Sequence, residues 1–73
     1  MPSDMTALPR LTRAQARELR AVCATRATGQ VADHLCVPRA YLVARRLLIW
    51  TGQTYDTTPH GRAWLAANPD GKA

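Results

Sequence analysis

The stretch VADHLCVPRAYLVARRL, residues 31–47, decides the fold, because it predicts two helices joined by a very short turn. Residues 30–35 read as a short helix with Val31, Ala32 and Leu35 facing inward. Pro38 interrupts that helix but suits the first turn of another, so a longer helix is predicted from about Pro38 to Trp50. Ala32 is small enough for the two helices to cross closely.

Upstream of this stretch, the sequence predicts a helix that begins after Thr12. The Thr12 hydroxyl can cap it, and the side chain of Gln15 can reach back to the cap. Thr28-Gly29 ends it, since glycine tolerates the left-handed conformation of a C-terminal cap. Its inward face carries apolar residues at spacings of three and four: Ala16, Leu19, Val22 and Cys23.

Downstream, Thr58 and Pro59 predict the start of a last helix that Asn68-Pro69 stops. Its large apolar residue is Trp64. The chain has two Trp and no Phe, so Trp50 and Trp64 are both expected to fill much of a thin core. Residues 53–57 leave room for only a minimal β element.

In order and spacing, the chain from Leu11 to Leu65 resembles a winged helix-turn-helix domain. The residues that carry the resemblance are LTRAQARELRAV (11–22), VADHLCVPRAYLVARRLL (31–48) and TGQTYDTTPHGRAWL (51–65). The resemblance implies a mainly α, degenerate winged-helix fold of about four helices, in which the helix after Thr58-Pro59 packs on the first. We expect a flexible arm over residues 1–10, the domain over 11–67 and a flexible tail over 68–73.

The sequence departs from this family at three places. Cys36 stands at the turn position where the family usually has glycine. The wing is nearly absent, because residues 53–57 are too few for a full hairpin. Arg45 and Arg46 come where one inward apolar residue is expected, which leaves the register of the predicted 38–50 helix open.

The net charge of +5 favours an anionic partner, either nucleic acid or an acidic protein surface. Nine of the ten basic residues are arginine, whose planar fork suits phosphates and carboxylates. The candidate partner-binding residues lie on the first helix and on the predicted 38–50 helix: Arg13, Arg17, Arg20, Arg39, Tyr41, Val43, Arg45 and Arg46.

Two functions fit these residues, and both belong to transcription regulation. A DNA-reading helix needs polar side chains near its start, where only Arg39 and Tyr41 qualify. An apolar surface flanked by arginine fits a protein partner better, and the length and composition are similar to the small RNA-polymerase-binding regulators of lytic Xanthomonas phages. Binding to a bacterial RNA polymerase is therefore the first expectation, and a sequence-specific DNA-binding repressor of the winged-helix class is the second.

The sequence favours no catalytic role, cofactor, metal site or small-molecule substrate. His34 and Cys36 lack a second ligand pair with zinc spacing. The chain has only two cysteines, no membrane span and no signal-peptide pattern, so reduced Cys23 and Cys36 in a bacterial host cytoplasm are expected.

Overall fold

The computed structural model describes residues 8–69, which form three helices and one antiparallel hairpin. Their order is α1 (Arg13–Ala27), α2 (Val37–Ala44), β1 (Leu48–Trp50), β2 (Tyr55–Thr57) and α3 (Pro59–Ala67). A mainly helical fold with a minimal β element is therefore confirmed, with three helices in the described residues rather than about four. The predicted arm and tail lie partly outside this range, at residues 1–7 and 70–73.

The two ends of α1 form as their local sequence predicts. Thr12 Oγ1 accepts a hydrogen bond from the Gln15 amide at 3.1 Å, and Gln15 Oε1 accepts one from the Thr12 amide at 2.9 Å. At the other end, Gly29 has a φ of +80° and the Gln30 amide donates to the Thr25 carbonyl at 3.1 Å. The capping box and the glycine cap fix both ends of α1 without help from the rest of the molecule.

The predicted helix over residues 30–35 is wrong, because residues 30–36 have no regular secondary structure. Ala32 instead binds the hairpin: its amide donates to Thr54 Oγ1 at 2.7 Å, and its carbonyl accepts from the Tyr55 amide at 2.8 Å. Ala32 is buried as predicted, whereas Val31 and Leu35 are each 55% exposed. A helix this short is costly to nucleate, so the tertiary hydrogen bonds of Ala32 override the apolar pattern.

The predicted helix over residues 38–50 is too long, since α2 ends at Ala44. Arg46 takes a left-handed conformation with a φ of 67°, and the Leu47 amide donates to the Leu42 carbonyl at 2.9 Å. This is a Schellman cap with arginine where glycine is usual. It settles the open register: Leu42 faces the core, and both Arg45 and Arg46 follow the helix.

Residues 48–57 form a hairpin of two three-residue strands, so the expectation that residues 53–57 are too few for a full hairpin is wrong. Leu48 pairs with Thr57, and Trp50 pairs with Tyr55. Residues 51–54 join the strands, and the Thr51 amide donates to the Thr54 carbonyl at 2.9 Å, so the turn itself is the two residues Gly52-Gln53, with a Gly52 φ of +104°. Such a loop, with glycine first, needs very little chain.

The helix α3 begins as predicted and closes the core against α1. Thr58 Oγ1 accepts from the Gly61 amide at 3.0 Å, and Pro59 occupies the first turn. Trp64 is only 5% exposed, and its Nε1 donates to the Pro9 carbonyl at 2.7 Å, which ties the end of the predicted arm to the domain. The core consists of Ala16, Leu19, Val22, Ala32, Leu42, Leu47, Leu48 and Trp64.

Trp50 does not belong to this core, contrary to expectation. It is 46% exposed and stacks at a tilt on Tyr55, with ring centroids 4.8 Å apart. Leu48, two residues earlier on the same face of β1, is buried. The core therefore ends between these two positions of the strand.

Candidate partner-binding surface

One side of α2 is exposed and apolar. Leu42 points into the core, so the residues on the opposite side recur at spacings of three and four. Val37 is 84% exposed, Ala40 and Ala44 are exposed, and Tyr41 is half-buried. We call these four residues the α2 face. Sequence analysis missed Val37 and Ala40, although the spacing 37, 40, 41, 44 marks one side of a helix.

Arg39, the predicted leading contact of this helix, is turned away from the α2 face. Its Nε donates to Glu18 Oε1 of α1 at 2.8 Å, and its Nη1 donates to the His34 carbonyl at 2.8 Å. Only 12% of the side chain is exposed. Arg39 therefore ties α1, α2 and the segment between them together, and a partner could use it only by breaking these bonds.

Val43, also predicted to bind a partner, is half-buried and packs against the core. It lies next to Leu42 rather than on the α2 face. Leu42 and Leu47, which flank it in the chain, are both fully buried.

Tyr41 and Arg45 do come together at the end of α2. The Arg45 guanidinium carbon lies 4.8 Å from the centroid of the Tyr41 ring, a cation–π distance. Arg45 and Arg46 are both exposed. The α2 face thus ends in two adjacent cations, one of which lies on an aromatic ring.

The predicted arginines of α1 divide into two groups. Arg13 and Arg17 are exposed, one turn apart. Arg20 instead contacts α3: its Nη2 donates to the Asn68 carbonyl at 2.8 Å, and its guanidinium lies 5.9 Å from the Trp64 ring centroid. Of the three α1 arginines predicted to bind a partner, only Arg13 and Arg17 are therefore exposed.

The hairpin carries no cation. Asp56 is the only charged residue between Leu47 and Thr58. Its Oδ2 lies 3.7 Å from Nε of Arg26, which belongs to α1. The exposed side chains of β1 are Ile49 and Trp50, so this hairpin offers a partner apolar and aromatic surface rather than positive charge.

The residues with catalytic or metal-binding chemistry are dispersed. Cys23 and Cys36 are free, half-exposed thiols. Over residues 8–69, no three His, Cys, Asp or Glu side chains lie close enough to hold one metal ion. An open groove of about 590 Å³ between α1 and α3 has Trp64, Arg13 and Arg20 in its lining, but no Cys, His, Asp or Glu.

No helix in the described part of the chain has the length and apolar character needed to cross a membrane. Comparison of this chain with protein-family models, curated proteins and solved structures finds no match.

Proposed function

We propose that this protein is a small, phage-type transcription regulator that binds bacterial RNA polymerase in the host cytoplasm and inhibits or redirects transcription. Its fold is then a degenerate winged helix, in which residues 28–36 replace the helix before α2 and the hairpin is the wing. The α2 face is the contact surface, with Arg45 and Arg46 at its edge. The choice of polymerase as the partner rests on the likeness in size and composition to small phage regulators.

The observation that carries this proposal is the position of Arg39. A base-reading helix places polar side chains on its exposed side, near its start. Here Arg39 is bound to Glu18 and His34, and the exposed start of α2 is Val37 and Ala40. An apolar centre with cations at its rim is the usual composition of a protein interface.

The hairpin favours the same partner class. A wing that lies along DNA would meet a phosphate every few ångströms and needs positive charge to do so. The only charge on this hairpin is the carboxylate of Asp56. Exposed Ile49 and Trp50 could bury apolar area against a protein instead.

A second candidate is a sequence-specific DNA-binding repressor of the winged-helix class. Exposed Arg13 and Arg17, together with the net charge of +5, favour it. Contacts of this kind go mainly to phosphates and position a protein without reading the sequence. We therefore expect DNA binding to be weak and nearly independent of sequence.

Affinity purification from a nuclease-treated bacterial lysate tests the proposal, followed by titration of purified polymerase at two salt concentrations. We expect polymerase subunits in the eluate, and a complex that survives moderate salt because burial of apolar surface is not screened. DNA binding should instead fall about a thousandfold or more between 50 and 200 mM salt if six or more phosphates are contacted. A selection from random DNA that returns one strong motif at physiological salt would restore the repressor.

A further inference from the structure

Building on the proposed function, we infer that the end of α2 is a carboxylate-binding corner, formed by Tyr41, Ala44, Arg45 and Arg46. Its occupant is an acidic segment of the protein partner, with Asp or Glu side chains beside apolar residues. Arg46 is the specificity-determining residue of this corner, because its backbone conformation is unfavourable and its side chain has no internal role in the described residues.

Arg46 has an unfavourable backbone conformation. With a φ of 67°, it is the only residue other than glycine with a positive φ in the described range. The same cap position at the end of α1 is occupied by Gly29, whose φ is +80°. Glycine adopts this conformation without the steric conflict that a Cβ brings. An arginine here lowers stability, so its side chain needs another reason to be present.

The side chain of Arg46 has no charged partner in the described residues. Of the three carboxylates in the described residues, Glu18 pairs with Arg39 and Asp56 lies 3.7 Å from Arg26, and neither these nor Asp33 pairs with Arg46. Within residues 8–69, the Arg46 guanidinium forms neither an ion pair nor a hydrogen bond. Its neighbour Arg45 lies on the ring of Tyr41, a contact that uses the face of the guanidinium and leaves its N–H edge for an anion.

The neighbourhood of the corner favours a carboxylate over a phosphate. The corner continues into the apolar α2 face, and the hairpin supplies no cation. A nucleic acid would bring a row of phosphates, but neither the α2 face nor residues 48–57 carry a cation, and the nearby Arg62 guanidinium donates to the carbonyl and hydroxyl of Thr57. A protein segment that combines one or two carboxylates with apolar side chains complements both parts of the surface.

A titration followed by NMR tests the corner directly. Decaglutamate is added at low salt to the ¹⁵N-labelled protein, and the arginine Nε–Hε signals are recorded. We expect saturable shifts at Arg45 and Arg46 that are at least about threefold larger than those at Arg13 and Arg17, the internal controls. Equal shifts at all four arginines, or larger shifts at the corner with a short DNA duplex than with the peptide, would overturn the inference.

Variants of Arg46 then test its role in the partner complex. Arg46→Gly should melt about 2–8 °C higher than the wild-type protein, because it relieves the backbone conflict. The same variant should bind purified RNA polymerase at least about tenfold more weakly. Arg46→Asn, which tolerates the left-handed conformation, should also lose affinity, whereas Arg10→Gln removes the same charge at an exposed position outside the candidate binding residues and should change affinity by less than about twofold.

Arg46→Gly is expected to raise the melting temperature and to lower the affinity for polymerase. Misfolding would lower both, so it cannot be the cause of the weaker binding. If Arg46→Gly binds polymerase as well as the wild type does, the corner is not the contact. If the wild-type protein itself does not bind polymerase, the proposed function fails, while the decaglutamate titration still decides whether the corner binds carboxylates.

Discussion

Gly61 lies directly against the backbone carbonyl of Leu47, so close that a Cβ at position 61 would overlap the carbonyl oxygen. The same Leu47 oxygen accepts a hydrogen bond from the Thr58 amide at 3.2 Å. The first turn of α3 therefore sits on the junction between α2 and β1 without any side chain between them. This contact explains the glycine in the Thr-Pro-x-Gly start of the helix.

Gly61→Ala should lower the free energy of unfolding by about 1–3 kcal/mol, because the backbone of Leu47 must move. Helix propensity alone would change stability in the opposite direction, since alanine is favoured over glycine in a helix by about 1 kcal/mol where space allows. Urea denaturation measures the effect. Ala66→Gly, at an exposed position of α3, is the control for helix propensity alone. A Gly61→Ala protein more stable than the wild type would contradict the close contact.

Trp64→Ala should cost about 3–5 kcal/mol, a loss that a domain of this size can barely survive. It removes a buried ring from between α3 and α1 and leaves the Pro9 carbonyl without its donor. Trp50→Ala is the matched control: it removes the same side chain from a half-exposed site and should cost about 1 kcal/mol. Thermal melting of both variants measures the difference, and equal losses would show that the core extends to Trp50.

Helix ends could be predicted from the sequence, because they depend on neighbours in the chain. The cap of Thr12 with Gln15, the cap of Thr58 and the stop at Gly29 are each decided within a few residues. The segment 30–36 could not, since the partners of Ala32 lie about twenty residues away on the hairpin. The end of α2 could not be predicted for a different reason. Its cap residue is Arg46, whereas a glycine at this position would have indicated the end of a helix.

The candidate site was predictable only in part, for the same physical reason. The composition of α2 predicted an apolar surface with arginine nearby, but it did not predict that the Arg45 guanidinium would lie on the Tyr41 ring. Which arginine is exposed depends on ion pairs between elements, and sequence spacing alone does not pair Arg39 with Glu18. Trp50 was likewise predicted to lie in the core, because nothing in its local sequence distinguishes it from Trp64.

Thr54→Val should cost about 1–3 kcal/mol, because it leaves the buried amide of Ala32 without an acceptor. Valine has nearly the shape of threonine, so packing changes little and the hydroxyl is the main loss. Thr28→Val is the control, since the Thr28 hydroxyl bonds to the Thr25 carbonyl at an exposed position and its loss should stay within about 0.5 kcal/mol. Amide hydrogen exchange at Ala32 should also become faster in the Thr54 variant alone.

Cys36→Ser should raise the free energy of unfolding by about 0.5–1 kcal/mol. Cys36 is the N-cap of α2, in an extended conformation and without a side-chain capping bond, so the family's glycine turn is not formed here. A serine hydroxyl at this place can accept from the Arg39 amide, since Pro38 has no N–H to offer. Cys23→Ser, within α1, is the comparison that removes the other thiol without creating a cap, and it should not stabilise. Chemical denaturation of both variants measures the effect, and a less stable Cys36→Ser protein would contradict it.

Arg39 and Tyr41 are both predicted from the sequence to bind a partner, but their alanine variants should differ in stability. Arg39→Ala breaks the bonds to Glu18 and His34 and should cost about 1–2 kcal/mol of stability. A double-mutant cycle with Glu18→Ala should then show that the two residues interact. Tyr41→Ala removes a half-buried ring that supports Arg45, so stability should fall by less than about 1 kcal/mol.

The affinity for RNA polymerase should fall more in Tyr41→Ala than in Arg39→Ala, the reverse of their order in stability. The affinities are measured at a temperature where every variant is fully folded. Tyr41→Ala should weaken binding at least about tenfold, because it removes apolar area from the α2 face and releases Arg45 from its position. Arg39→Ala should leave affinity within about threefold of the wild type, since this side chain faces α1. If Arg39→Ala abolishes binding while the folded protein retains its α1–α2 contact, Arg39 exchanges Glu18 for a partner group, and the apolar α2 face is not the main contact.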